Sequence, residues 1–137
     1  MSAKFKNIEV TEEFLNSQPN AYFVFGDNTI KKGLAGAAKL RNHPRAIGFV
    51  TKKAPDGKPK SCYTPDEYAK IFFDQLKQLE SHVKGNPQRK FYVSKLGAGL
   101  ANRYYIWETV IHHNLIAELG AYDNVIFCWE QERLTSN

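Results

Sequence analysis

The stretch KLGAGLAN, residues 95–102, sets two glycines around one small residue directly after an apolar run. Glycine admits backbone angles closed to other residues, and consecutive N–H groups in such a turn form a nest for an anion. Gly97, Ala98, Gly99 and Leu100 are therefore candidate phosphate-holding residues, and Asn102 can cap the helix that follows. A tight strand-to-helix connection without a ligand is the plainer reading of the same letters. A second stretch, GDNTIKKGLAGAAKL (residues 26–40), has a similar layout. Gly33, Gly36 and Ala37 let a ligand approach free backbone N–H groups, and the positive end of a helix starting there favours an anion. Asp27 and Asn28 are positioned to hydrogen-bond a sugar or a base edge. Here too a glycine-punctuated turn is the plain alternative. It is not a P-loop, because no Gly-Lys-Ser/Thr follows. Taken together, the two loops suit a diphosphate, with one loop on each side.

The third stretch is FVTKKAP, residues 49–55, where Thr51, Lys52 and Lys53 end an apolar run. Two adjacent ammonium groups lower each other's pKa, and partial burial adds to that. A neutral amine can attack a sugar carbon that behaves as an aldehyde. Lys52 is the one nucleophile found in a loop; solvated lysines are the alternative. The remaining candidates carry less. His112 and His113 are adjacent and point to different sides of a helix, so they cannot chelate together. His43 and His82 lack an acidic or cysteine partner at ligand spacing, and no metal site is expected. There is no Gly-x-Ser-x-Gly elbow. Tyr104 or Tyr105 can stack on a base.

Elements must bring these loops together. Four nearly continuous apolar runs read as strands covered on both faces: residues 21–25, 46–50, 91–93 and 124–129. KFKNIEV can add an edge strand. The clearest helix starts at TPDE, with Thr64 as cap, Pro65 in the first turn and Glu67 completing a capping box. Tyr68, Phe72, Leu76, Leu79 and Val83 fall on one face, and Gly85 with Pro87 ends it. A second helix is predicted from about Arg103 to Gly120, with Trp107, Ile111, Leu115 and Leu119 recurring every four residues. Shorter helices are expected in TEEFLN and from Gly36 through AAKLRN up to Pro44. This alternation predicts an α/β domain over residues 1–137, a three-layer α/β/α sandwich with a mixed, mainly parallel sheet. Ligands of such sheets sit outside the carboxyl ends of the strands, which is where all three loops fall.

Composition bounds the setting. The 137 residues are 42% hydrophobic and 24% charged, with a formal net charge of +5. That length suits one domain with its own core. The positive balance tilts toward anionic partners such as nucleotides or nucleic acid. Cys62 and Cys128 are far apart and read as free thiols in a reducing compartment. No signal core and no membrane-length apolar run is visible, so a cytoplasmic protein is expected.

The three loops, in this order, resemble the macro domain, an ADP-ribose-binding α/β/α module. The resemblance spans roughly residues 20 to 130. It is best to the branch containing terminal ADP-ribose glycohydrolase and the DNA-ADP-ribose glycohydrolase antitoxins. GDNTIKKGLAGAA looks like the first ribose and phosphate loop of that branch, with Asn28, Gly36 and Ala38. FVTKKAP looks like the strand ending in Thr-Lys that carries its catalytic lysine, and the match falls on Lys52. SKLGAGLANRYYIWETV looks like its second phosphate loop, Gly-x-Gly-Leu, followed by a helix with Trp near its start. Glycohydrolases of the terminal type carry Asp after Gly-x-Gly-Leu; here that position is Ala101, and the DNA-acting antitoxins lack the Asp too. No early Gly-Asp pair stands where macro domains hold adenine.

The resemblance implies binding of ADP-ribose or an ADP-ribosyl group and hydrolysis of an ADP-ribosyl linkage on DNA or protein. Lys52 would act at the anomeric carbon and Asp27 would assist. Asn28, Gly33, Gly36, Ala37, Thr51, Gly97, Ala98, Gly99, Leu100 and Asn102 would hold the ligand, with no cofactor. One alternative is a non-catalytic module that sequesters nucleotide signals, as phage counter-defence would need, since short proteins with FGDN at the first loop occur in bacteriophages. A further alternative is a basic nucleic-acid-binding protein built on the lysines at 52, 53, 58 and 60.

Overall fold

The computed structural model describes residues 3–131. Its strands are β1 (Lys4–Phe5), β2 (Ala21–Asn28), β3 (Ala46–Lys52), β4 (Lys90–Val93) and β5 (Val125–Phe127). They form one sheet in the order β1-β5-β4-β2-β3. Every neighbouring pair is parallel, with Phe23 opposite Tyr92 on one side and opposite Ala46 on the other. The sheet, expected to be mixed and mainly parallel, is parallel throughout its named strands. The antiparallel pairing present among the described residues is a single bridge between Lys52 and Cys62. The cause is connectivity: each strand is followed by a crossover that returns the chain to the same end of the sheet.

Side chains alternate across the sheet and sort the helices into two layers. Val24, Phe91, Val93, Val125 and Phe127 join the larger cluster, beneath α2 (Pro65–Gly85) and α3 (His112–Leu119). Phe23, Phe25 and Tyr92 face the other way, against Leu15 of α1 (Glu12–Asn16) and Ala38 and Leu40 of the segment between β2 and β3. The three-layer arrangement follows.

The sequence signals of α2 hold. The Thr64 hydroxyl accepts the Glu67 N–H, the Glu67 carboxylate accepts the Thr64 N–H, and the five apolar residues of the stripe are buried. Removing this cap orphans an N–H at the helix start. Thr64→Ala is expected to lower stability by about 1 kcal/mol, read as a shifted urea midpoint with unchanged slope. The same helix protects the edge strand β3: Tyr68 donates its hydroxyl to the Val50 carbonyl at 2.6 Å, and Gln75 accepts the Val50 N–H at 3.0 Å. A neighbouring strand therefore finds these groups occupied.

Two helix expectations need correction. Past Gly36 the chain makes one 3-10 turn, Gly36–Ala38, then i→i+3 turns at Arg41 and His43 rather than a helix. Gly36 starts it with φ +57°, and Pro44 prevents its extension. Near Arg103 the expected continuous helix is interrupted. A 3-10 segment, Leu100–Tyr104, ends at Tyr105 with φ +63°, and a π turn, Trp107–Ile111, leads into α3. The apolar stripe survives, because Trp107, Ile111, Leu115 and Leu119 are all buried. Both cysteines are free thiols, and burial pushes Cys128 up to about 12. No helix among the described residues is long and apolar enough to cross a membrane.

Candidate functional site

The chain leaving β2 passes to the α1 face, whereas the chain leaving β4 passes to the α3 face. Connections that diverge from adjacent parallel strands open a crevice at their carboxyl ends. A cleft of about 480 Å³ lies there, lined by residues of all three glycine- and lysine-bearing loops.

The first wall is built on β2. Gly26 sits beside Thr51 and Gly97, so an added Cβ would meet the Thr51 hydroxyl at 3.4 Å. Asp27 and Asn28 are buried at the strand end. The Asp27 carboxylate accepts the Asn28 N–H and pairs with Arg41 at 2.6 Å. Gly48 of β3 leaves the space that this carboxylate fills. Arg41 also donates to the carbonyls of Lys32 and Gly33 and lies over the Phe25 ring. One guanidinium thus ties the strand end to the loop. The Asn28 amide is turned into the same loop, donating to the Lys32 carbonyl at 2.8 Å. Both side chains expected at a sugar therefore hold the wall.

The second wall comes from β3. Lys52 Nζ donates to the Asp56 carbonyl at 2.6 Å, drawing the 55–57 turn over the cleft. Pro55 rests against Gly33, where an added Cβ would come within 3.2 Å of it. The base of this loop is closed by the Lys53 N–H donating to the Ser61 carbonyl. Lys53 itself points away, to Glu67 at 3.0 Å and over the Tyr63 ring. The two lysines expected to act on one another have separate partners.

The third wall is the turn that follows β4. Gly97 adopts φ +75°, whereas Gly99 keeps a negative φ. Among the described residues the N–H groups of Gly97, Gly99, Leu100 and Ala101 donate to no protein acceptor, and neither do those of Gly33, Ala35, Gly36 and Ala37 across the cleft. Because the turn at Gly36 is only three residues long, free N–H groups rather than a helix dipole are what that wall offers to a ligand.

Of the residues expected from sequence, Asp27, Asn28, Gly33, Gly36, Ala37, Thr51, Lys52, Gly97, Gly99 and Leu100 line the cleft. Ala98 and Asn102 do not. Asn102 accepts the Trp107 N–H and donates to Glu108, so it caps the helix behind the site. Sequence reasoning missed Arg41, the Lys32 and Lys95 that also line the cleft, and Asp56. Lys32 and Lys95 stand inside the quoted loops and were readable there. Arg41 is separated from Asp27 by fourteen positions, and only the fold pairs them. With Asp27 matched by Arg41, Lys32, Lys52 and Lys95 outnumber the one cleft carboxylate outside an ion pair, Asp56. That carboxyl is held below its usual range by hydrogen bonds from Ser61 and the Lys58 N–H. No cluster of metal-ligating side chains occurs among the described residues.

No curated protein and no solved structure matches the chain. Residues 5–102 match a family of unknown function, DUF7831, and that span includes every residue lining the cleft. The chain therefore belongs to the DUF7831 family.

Proposed function

We propose that the cleft binds ADP-ribose or an ADP-ribosyl group, with its diphosphate between the two glycine loops, and that the protein hydrolyses an ADP-ribosyl linkage to DNA or protein. One observation carries this reading: two loops whose backbone N–H groups have no protein acceptor among the described residues, with three lysines, line a crevice of nucleotide size. Such nests hold phosphate oxygens without a side-chain carboxylate competing for them. In this reading Lys52 would act at the distal ribose once its hydrogen bond to the Asp56 carbonyl is given up. Hydrolysis breaks the bond from the anomeric carbon to its acceptor. The bonding pair and a proton leave with the acceptor, and hydroxide from water joins the carbon.

A second reading, binding without turnover, is favoured by a specific feature. Ala101 brings no carboxylate, and the depressed pKa of Asp56 makes it a weak base for activating water. A sequestering module for ADP-ribose-derived nucleotide signals needs only the nest.

Calorimetry with ADP-ribose tests what the readings share. Micromolar binding is expected, and no heat at millimolar ligand rejects both. Incubation with ADP-ribosylated DNA and, separately, with ADP-ribosylated protein then divides them. Release of ADP-ribose by the wild type above the Lys52→Ala level supports the hydrolase; equal release with retained binding leaves the sequestering module.

A further inference from the structure

We infer that Ser94 selects the nucleoside half of the ligand, its hydroxyl meeting the ribose hydroxyls on the base side of the diphosphate. This rests on the cleft reading and adds to it the direction in which the ligand lies.

Position sets that direction. Strand β2 is the middle strand of the site, paired with β3 on one side and with β4 on the other. Neighbouring strands lie about 4.8 Å apart, so the ends of β3 and β4 stand about 10 Å apart across β2. Lys52 ends β3, Gly26 lies on β2 and Ser94 follows β4, and all three line the cleft. The diphosphate lies between the glycine loops, over β2, with the distal ribose toward Lys52. The remaining ribose then falls over the end of β4.

Chemistry selects the group that meets it. Backbone N–H and ammonium groups only donate, which suits phosphate oxygens. A ribose hydroxyl both donates and accepts, and a serine hydroxyl matches it in both roles. Two hydroxyl-bearing residues line the cleft, Thr51 and Ser94. Thr51 is buried and donates to the Asp27 carbonyl at 3.3 Å, whereas the Ser94 hydroxyl bonds to no protein group among the described residues. The main chain of Ser94 is fixed on both sides: its N–H donates to the Val24 carbonyl at 3.0 Å and its carbonyl accepts the Leu96 N–H at 2.8 Å. The hydroxyl is therefore what this strand end has left to offer. Its neighbour Lys95 carries its ammonium over the Trp107 ring, 5.4 Å from the centroid, and leaves the hydroxyl unclaimed. The Asp56 carboxylate belongs to the β3 side of the cleft and already accepts the Lys58 N–H at 2.9 Å.

Calorimetry with ADP-ribose, with ADP and with ADP lacking both ribose hydroxyls tests this on the wild type and on Ser94→Ala. The variant should bind ADP-ribose and ADP about tenfold more weakly. It should bind the dideoxy nucleotide within about twofold of wild type, because the partner hydroxyl is already gone. Its urea midpoint should not move, since the hydroxyl supports nothing in the fold. Unchanged affinity for ADP overturns the inference. A loss confined to ADP-ribose puts Ser94 at the distal ribose, and an equal loss with the dideoxy nucleotide puts it at a phosphate; either overturns the assignment. A lowered midpoint alongside a loss for all three ligands would make the residue structural and overturn it too. The two readings fail separately. Wild type that binds neither ADP-ribose nor ADP rejects the cleft reading and this inference with it. Wild type that binds both, with Ser94→Ala binding as well, rejects this inference alone.

Discussion

Replacing Arg41 with methionine is expected to destabilise the protein by about 3 kcal/mol, the lower end for breaking a buried pair. Methionine keeps the apolar stem over Phe25 but leaves the Asp27 carboxylate with one hydrogen bond, from the Asn28 N–H. Asp27 is 4% exposed and Arg41 14%, so water reaches neither group freely. Asp27→Asn removes the charge while keeping the shape, and costs less. The two changes should not add: the double variant is expected to be more stable than the sum predicts by about 1–3 kcal/mol. Urea midpoints of the four proteins measure this, and additivity within about 0.5 kcal/mol would refute the pairing.

The same substitution reports on the site. Arg41 holds the Lys32 and Gly33 carbonyls, so its loss frees the loop that presents half of the N–H groups. ADP-ribose affinity should fall about tenfold, equivalent to about 1.4 kcal/mol. For Asp27→Asn the two possible roles separate. An anchoring Asp27 lowers affinity and turnover together. A catalytic Asp27 lowers turnover alone.

Why that pair was hidden in the sequence, while the site's location was not, is a matter of range. Continuous apolar runs around Val24, Phe91 and Phe127 report burial on both faces, and a parallel sheet puts the following loops at one edge. Glycines at 33, 36 and 97 and the Thr-Lys ending at Lys52 are local signals, and they converge on the cleft. Side-chain assignments within those loops are set by distant partners. Asp27 and Asn28 read as ligand contacts because Arg41 and the Lys32 carbonyl could not be seen opposite them. The helix before Trp107 has good periodicity, yet it is broken because Asn102 caps from five residues away and Tyr105 turns left-handed. Strand direction depends on crossovers, which is why a sheet expected to be mainly parallel is parallel in every strand pair.

Gly97→Ala should be the most damaging single-atom change in the site. The residue has φ +75°, which costs an alanine about 1–2 kcal/mol. Its new methyl would also sit 2.6 Å from Ile111 Cδ1 and 3.5 Å from Ile106 Cδ1, both on buried side chains that have little room to retreat. Overpacking of that kind adds about 1–3 kcal/mol, for a total of about 3 kcal/mol. Gly36→Ala is the internal control. It shares the left-handed backbone, at φ +57°, but meets nothing within 4 Å. It should therefore cost only the conformational part, about 1 kcal/mol. The contrast separates packing from backbone strain. Equal midpoints for the two variants would show that the turn after β4 does not rest on Ile111. Relief follows the same logic: Ile111→Val shortens the obstructing chain and should recover part of the Gly97→Ala loss, although it destabilises the wild type by about 1 kcal/mol. Where the turn is pushed off Ile111, the N–H groups of Gly99 and Leu100 move with it. The double variant should then regain ADP-ribose affinity along with stability, which a purely local backbone effect at Gly97 would not produce.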